Sequence, residues 1–205
     1  MSRRKDQGGR REHLITAAER SIVHHGLART KIRTIANEAG ISPGLINYYF
    51  TELDDLYRAV YQEAIERFWT QRRRLIDGIA EPRDRLAAMV RSGLPLGPDD
   101  ATCRLLYEFH PQIARNPVVK SLRTTLYDRQ VALYESLLLA GASVGVFTLA
   151  SPAASIAHNL VALEDAYGLH IVTGFSVTRE QAERYLLDYA GAATGTPPTQ
   201  APTAS

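Results

Sequence analysis

With 205 residues, 45% of them hydrophobic, the chain can bury a real core and lies outside disordered or fibrous compositions. Its single cysteine, Cys103, excludes an internal disulfide framework and fits a reducing cytoplasm; the charged start Met1–Arg11 does not read as a secretory signal. Net charge is only +2, yet residues 1–50 carry nine Lys or Arg against four Asp or Glu, and residues 51–205 carry fifteen against eighteen. A basic N-terminal quarter points to a nucleic-acid surface there.

Helical periodicity dominates along the chain. Met1–Arg10 reads as a disordered basic arm. Glu12–His25 places Leu14, Ala17, Ala18 and Ile22 on one face, and Gly26 stops it. Thr30 is positioned to cap a short helix with Ile32, Ile35, Ala36 and Ala39, which Gly40 ends. Ser42 caps a third helix with Pro43 at its first position, closed by Phe50. A long helix, Leu53–Ile76, carries Leu56, Val60, Ala64, Phe68 and Leu75 on its apolar side, and Arg72-Arg73-Arg74 reads as its solvated end. Five more helices follow: Arg83–Leu94, Asp99–Arg115, Pro117–Ala140, Pro152–Thr173 and Thr178–Ala192. The uncharged stretch Ser136–His158 is broken by Gly141, Gly145, Ser151 and Pro152, so it is a helix end plus a loop and no membrane span. From Thr194 the tail is rich in Pro and Thr and reads as disordered.

The expectation is an all-α fold of about nine helices. An N-terminal three-helix helix-turn-helix domain is joined by a long helix to a larger helical bundle for dimerisation and ligand binding. The expected divisions are an arm at 1–10, a DNA-binding domain at 11–51, the bundle at 52–193 and a tail at 194–205.

The segment Thr30–Phe50 carries the function. Two short helices meet at Ala39-Gly40-Ile41-Ser42, a turn of helix-turn-helix length containing glycine. Ile46 and Phe50, four apart, bury one side of the third helix. Gly44, Asn47 and Tyr48 face away, where a major groove would lie. Ser42 leaves N–H groups at the helix start that suit a phosphate.

Here the chain resembles the TetR family of repressors. The matching pieces are LITAAERSIVHHG, TIANEAGISPGLINYYF and the Leu56–Val60 start of the fourth helix. Farther on, YEFHPQIARNP and VALEDAYGLHIVTG are loosely similar to the subgroup of choline- and betaine-pathway repressors. The resemblance implies that Arg33 touches phosphate or a base, and that Pro43, Leu45, Asn47 and Tyr49 read or flank the groove. With Ser42, Gly44, Tyr48 and Thr51 these form the candidate DNA-binding set. Asn47, the only amide among them, suits adenine. Two positions depart from the family: Asn47 replaces a usual tyrosine, and Leu53 replaces a usual phosphate-anchoring lysine. The basic arm, Arg3, Arg4, Lys5, Arg10 and Arg11, offers replacement charge.

In the bundle, Tyr107, His110, Tyr127, His158, Asn159 and Glu164 are polar residues on otherwise apolar helices and form the candidate ligand-binding set. With no lysine or arginine evident on those faces, a neutral or cationic, partly apolar effector is expected, with Glu108 or Glu164 as its partner. Leu160, Leu163 and Tyr167, and Ala182, Tyr185, Leu186 and Tyr189, recur at helical spacing on the last two helices and read as a homodimer interface. No HExxH, Cys/His metal spacing, GxSxG or phosphate loop is present, so no metal, cofactor or enzymatic role is expected. The reading is a cytoplasmic repressor of a palindromic double-stranded DNA operator, released by a small molecule and without membrane association. The alternative is a helical small-molecule binding protein that has lost DNA binding.

Overall fold

The computed structural model describes the backbone of residues 2–196 and the side chains of residues 8–196. The expectations for the tail at 197–205 and for the side chains of Arg3, Arg4 and Lys5 lie outside the described residues. Ten helical segments and no strand occur among the described residues: α1 (Ser2–His25), α2 (Ile32–Ala39), α3 (Pro43–Tyr49), α4 (Leu53–Ile76), α5 (Pro82–Gly93), α6 (Ala101–Glu108), α7 (His110–Ile113), α8 (Pro117–Ser143), α9 (Ala153–Thr173) and α10 (Arg179–Thr194). The single turn α7 is split from α6 at Phe109. Pro111 lacks an N–H and its ring crowds the carbonyl four residues back, so one helix over 99–115 cannot form. Counted with α6, it leaves nine helices.

Other boundaries differ from expectation by one to three residues, as where α8 runs on to Ser143, and three differ in more than length. The helix α1 starts at Ser2, where a loose arm to residue 10 was expected. Lys31, not Thr30, is the N-cap of α2. Thr30 turns inward, donating from its hydroxyl to the Gly26 carbonyl. The helix α10 runs through Thr194, where the tail was expected to begin. Thr194 is buried, and its carbonyl accepts the Thr148 N–H at 2.8 Å.

The chain forms two compact units. One comprises residues up to Arg67 with Ala101–Arg123; the other comprises Phe68–Asp100 with the chain from Thr124. The division falls inside α4 and inside α8, not at 51/52. The reason is that α6 packs on α1: Arg67 bonds both Glu19 (2.6 Å) and Thr102 (3.1 Å), and Phe109 stacks on Tyr61.

In the second unit, the core is Leu86, Met89, Val90, Leu138, Ile156, Leu160, Val161 and Leu186 with a buried ion pair at its centre. Arg72 is not solvated. Its guanidinium grips Glu164 through two bonds of 2.9 and 2.8 Å, and the side chains are 0% and 1% exposed. Tyr134 donates its hydroxyl to the same carboxylate, and its ring lies under the guanidinium, 5.3 Å from it. Burial pushes the Glu164 carboxyl up, while Arg72 and Tyr134 pull it back. Only glycine fits at position 93, because a Cβ there would collide with both charged groups. Leu75, placed on the apolar side of α4 from the sequence, is instead exposed.

The connection after α8 is also pinned. Phe147 is buried against Gly141, and Thr148 and Ala150 donate backbone bonds to Thr194 and Ala193.

Two stability outcomes follow. Glu164→Ala strands a buried guanidinium and should cost about 3–5 kcal/mol in urea denaturation, whereas Arg72→Met with Glu164→Leu and Tyr134→Phe, which leaves no polar group of the cluster stranded, should be neutral or stabilising. Ile46→Ala in α3 should cost about 2–4 kcal/mol by cavity formation, while its exposed neighbour Asn47→Ala should leave the midpoint within about 0.5 kcal/mol of wild type. A near-wild-type Glu164→Ala would show that the pair does not secure this core.

Candidate functional site

The candidate reading head lies wholly in the first unit. Ile35 and Ala36 of α2 and Ile46 of α3 are buried, so each helix turns one side inward. Between them Gly40 adopts φ 67, ψ 32, the left-handed region that glycine enters without penalty. Its N–H closes on Asn37, and the Ile41 N–H closes on Ala36 at 3.0 Å, finishing α2 tightly. The helix α1 braces the pair. His13 lies 3.1 Å from the Ala39 carbonyl, Arg20 pairs with Glu38 at 3.2 Å, and the Arg11 guanidinium covers the Phe50 ring.

That bracing leaves a defined outer face. Arg33, Ser42, Pro43, Gly44, Asn47, Tyr48 and Thr51 are exposed, while Leu45 and Tyr49 are half-buried. Tyr48 is 69% exposed and meets Tyr49 edge to face. Arg33 and Asn47 make no side-chain bond with other described residues, so both are available to an external partner. Ser42 occupies the N-cap of α3 but makes no side-chain capping bond, contrary to the capping role expected of it. Leu53 is half-buried and lines a hollow of about 270 Å³ with Leu27, Tyr57 and Phe109. It serves packing where the family's lysine would serve phosphate. Beside it, the Tyr57 hydroxyl donates to the Thr30 carbonyl at 2.6 Å, and burial raises its pKa to about 12.

The six candidate ligand residues do not gather in one unit. Tyr107 and His110 belong to the first and meet edge to face; Tyr127, His158, Asn159 and Glu164 belong to the second. Glu164 is not free for a cation, because Arg72 and Tyr134 take its oxygens. His158 and Asn159 point outward from α9, where His158 bonds Tyr127 and Asn159 bonds Tyr189, each at 2.9 Å. Glu108, the other proposed cation partner, accepts the Leu27 N–H at 2.9 Å. The sequence reading also missed that Arg72 places a cation inside the bundle.

The candidate dimer residues divide too. Leu160, Ala182 and Leu186 are completely buried within one chain and cannot face a partner, because α9 and α10 use them to pack on each other and on α5. Leu163, Tyr167 and Tyr189 are half-buried against the same core, and Tyr185 is exposed. The outward stripe of α9 is instead Ser155, His158, Asn159, Ala162, Ala166 and Leu169.

Comparison with known proteins agrees with this architecture. Residues 14–60 match the bacterial regulatory proteins of the tetR family, and residues 82–194 match the C-terminal domain of BetI-type transcriptional repressors. The HTH-type transcriptional regulator BetI of Burkholderia cenocepacia (strain HI2424) is 31% identical over 120 residues, covering 56% of this chain and 60% of that protein. BetI of Burkholderia mallei (strain NCTC 10229) is 40% identical over 83 residues, covering 40% and 42%. The chain thus spans at most about three-fifths of these relatives' length. Among solved structures, a transcriptional regulator from Saccharomonospora viridis in complex with choline superposes with TM-score 0.84 at 24% identity, covering 91% of this chain and 98% of that one. A TetR transcription regulator from Haloarcula marismortui gives 0.81 at 23% identity, covering 93% and 99%. The chain therefore belongs to the tetR family of bacterial regulatory proteins, with a C-terminal domain of the BetI-type transcriptional repressors.

Proposed function

We propose that the protein is a homodimeric repressor that reads a palindromic DNA operator with the outer face of α2 and α3 and is released by a small effector. The observation that carries this reading is the pairing of a buried side, Ile46 and Phe50, with unpartnered outward polar groups, Asn47 and Arg33, across a glycine-closed turn. One such head touches too few base pairs to be specific, and a two-fold pair on successive major grooves solves that. The exposed alanines Ala162 and Ala166 on α9 allow close approach of a partner helix, flanked by Leu169 and by Tyr185 of α10.

The effector is neutral or cationic, partly apolar, and held by the helices of the second unit. The choline in the Saccharomonospora viridis structure supports the cationic class. Release is a population shift: the effector prefers a conformation whose two heads are wrongly spaced, a coupling of typically 1–3 kcal/mol. The alternative, a binding protein without DNA recognition, is not favoured, because the reading helix and its turn are complete.

On a palindrome selected from random duplexes, Asn47→Ala should lose about 1–3 kcal/mol and relax one base pair per half-site. Arg33→Ala should weaken binding to all sequences and flatten the salt slope by about one unit. Wild-type binding by both would place the reading surface elsewhere. Ala166→Arg should shift the light-scattering mass from twice 22.7 kDa to a single chain. Choline, but not acetate, should raise the operator Kd and change the emission of the sole tryptophan, Trp69, which lies on α4 beside Arg73 and Arg129.

A further inference from the structure

The turn between α1 and α2, Gly26–Lys31, sets where α2 begins and hence where α3 is presented. Besides local backbone bonds from the Thr30 N–H to Gly26 and Leu27 and a Ser21–Thr30 hydroxyl contact of 3.4 Å, three bonds are of note. Thr30 donates to Gly26 within the turn (2.9 Å), Tyr57 of α4 donates to the Thr30 carbonyl, and the Leu27 N–H donates to Glu108 at the end of α6. The third is unusual in two respects. It joins residues 81 positions apart. It also brings the segment's charged groups to the C-terminal end of α1, where Arg104, one turn before Glu108, donates to the Val23 carbonyl at 3.4 Å while Glu108 takes the N–H just past the helix.

The segment that carries Glu108 has a particular standing in the chain. Residues 101–123 belong to the DNA-binding unit, yet the chain enters them from Asp100 and leaves them at Thr124, both in the other unit. The segment is therefore covalently tied at both ends to the unit that contains α5, α9 and α10. Within that unit it is held to α1 and α4 by Arg67–Thr102, by Arg104–Val23, by the Phe109–Tyr61 stack and by Glu108–Leu27. Of these, only the Glu108 bond reaches the turn that leads into α2.

We propose that Glu108 is a positioning residue for operator binding. By accepting the Leu27 N–H it holds the α1–α2 turn in the DNA-competent arrangement, and effector release acts by breaking this bond. The inference rests on the function proposed above. It assigns Glu108 to regulation of the reading head, in place of contact with the effector.

The test uses the full-length protein and the palindrome that wild type selects from random duplexes. Glu108→Ala should bind that palindrome on the order of tenfold more weakly, the worth of one hydrogen bond to a charged acceptor, with an unchanged salt slope because no phosphate contact is lost. Glu108→Gln keeps an acceptor oxygen and should bind within about twofold of wild type. Choline should weaken wild type and Glu108→Gln but have little further effect on Glu108→Ala. Wild-type affinity in Glu108→Ala, or equal loss in both variants, overturns the proposal. Should Glu108→Ala fail to fold, amide exchange in wild type decides. The Leu27 amide should be protected in the operator complex and exchange faster with choline; identical exchange in both states overturns it. Failure of wild type to select any palindrome overturns the DNA-reading function itself, and this inference with it.

Discussion

A charge buried in a helical core must be neutralised where it lies, and the second unit is arranged around that demand. Arg72 comes from α4, Glu164 from α9 and Tyr134 from α8, and α5 approaches closely enough at Gly93 to seal them from water. Removing any one partner would leave a desolvated charge or a void, so the four helices hold one register. The surrounding aliphatics, Val90, Leu138, Leu160 and Val161 among them, supply most of the burial energy, but they tolerate sliding in a way the bidentate pair does not. On the proposed function, one well-defined arrangement of this unit is what an effector would work against.

The reading unit follows a different logic. Its helices are short, and α2 and α3 have only eight and seven residues, too few to persist alone. They persist because Ile35, Ala36, Ile46 and Phe50 are buried and because α1 braces them through His13, Arg20 and Arg11. Packing thus occupies one side of each helix, and the opposite side remains free for recognition. On the proposed function, that division of labour is what lets a seven-residue helix probe DNA.

Where the sequence was informative, the signal was local. Gly40, Ser42-Pro43 and the Ile46–Phe50 spacing mark the turn and the third helix, and α4 is found at Leu53–Ile76 as its periodicity implied. What escaped was non-local or demanded strict phase. Leu56, Val60, Ala64, Phe68, Arg72 and Ile76 form one continuous series at four-residue spacing, so Arg72 falls on the buried stripe despite its two arginine neighbours. A lone Glu164 on the buried side of α9 was the complementary signal, but the two are 92 residues apart and neither names the other. Three of the seven candidate dimer residues were misplaced for a related reason. Three-and-four spacing reports an apolar side without saying whether it meets its own chain or a partner, and Leu160, Ala182 and Leu186 meet their own. The break at Phe109 was readable from Pro111.

The account turns on α3 entering successive major grooves as a symmetric pair. Guanine N7 methylation protection on the selected operator addresses this directly. Two protected patches on one face of the duplex, with centres about ten base pairs apart and related by a dyad, are the predicted pattern. Protection of a single patch, or of the minor groove alone, would contradict it.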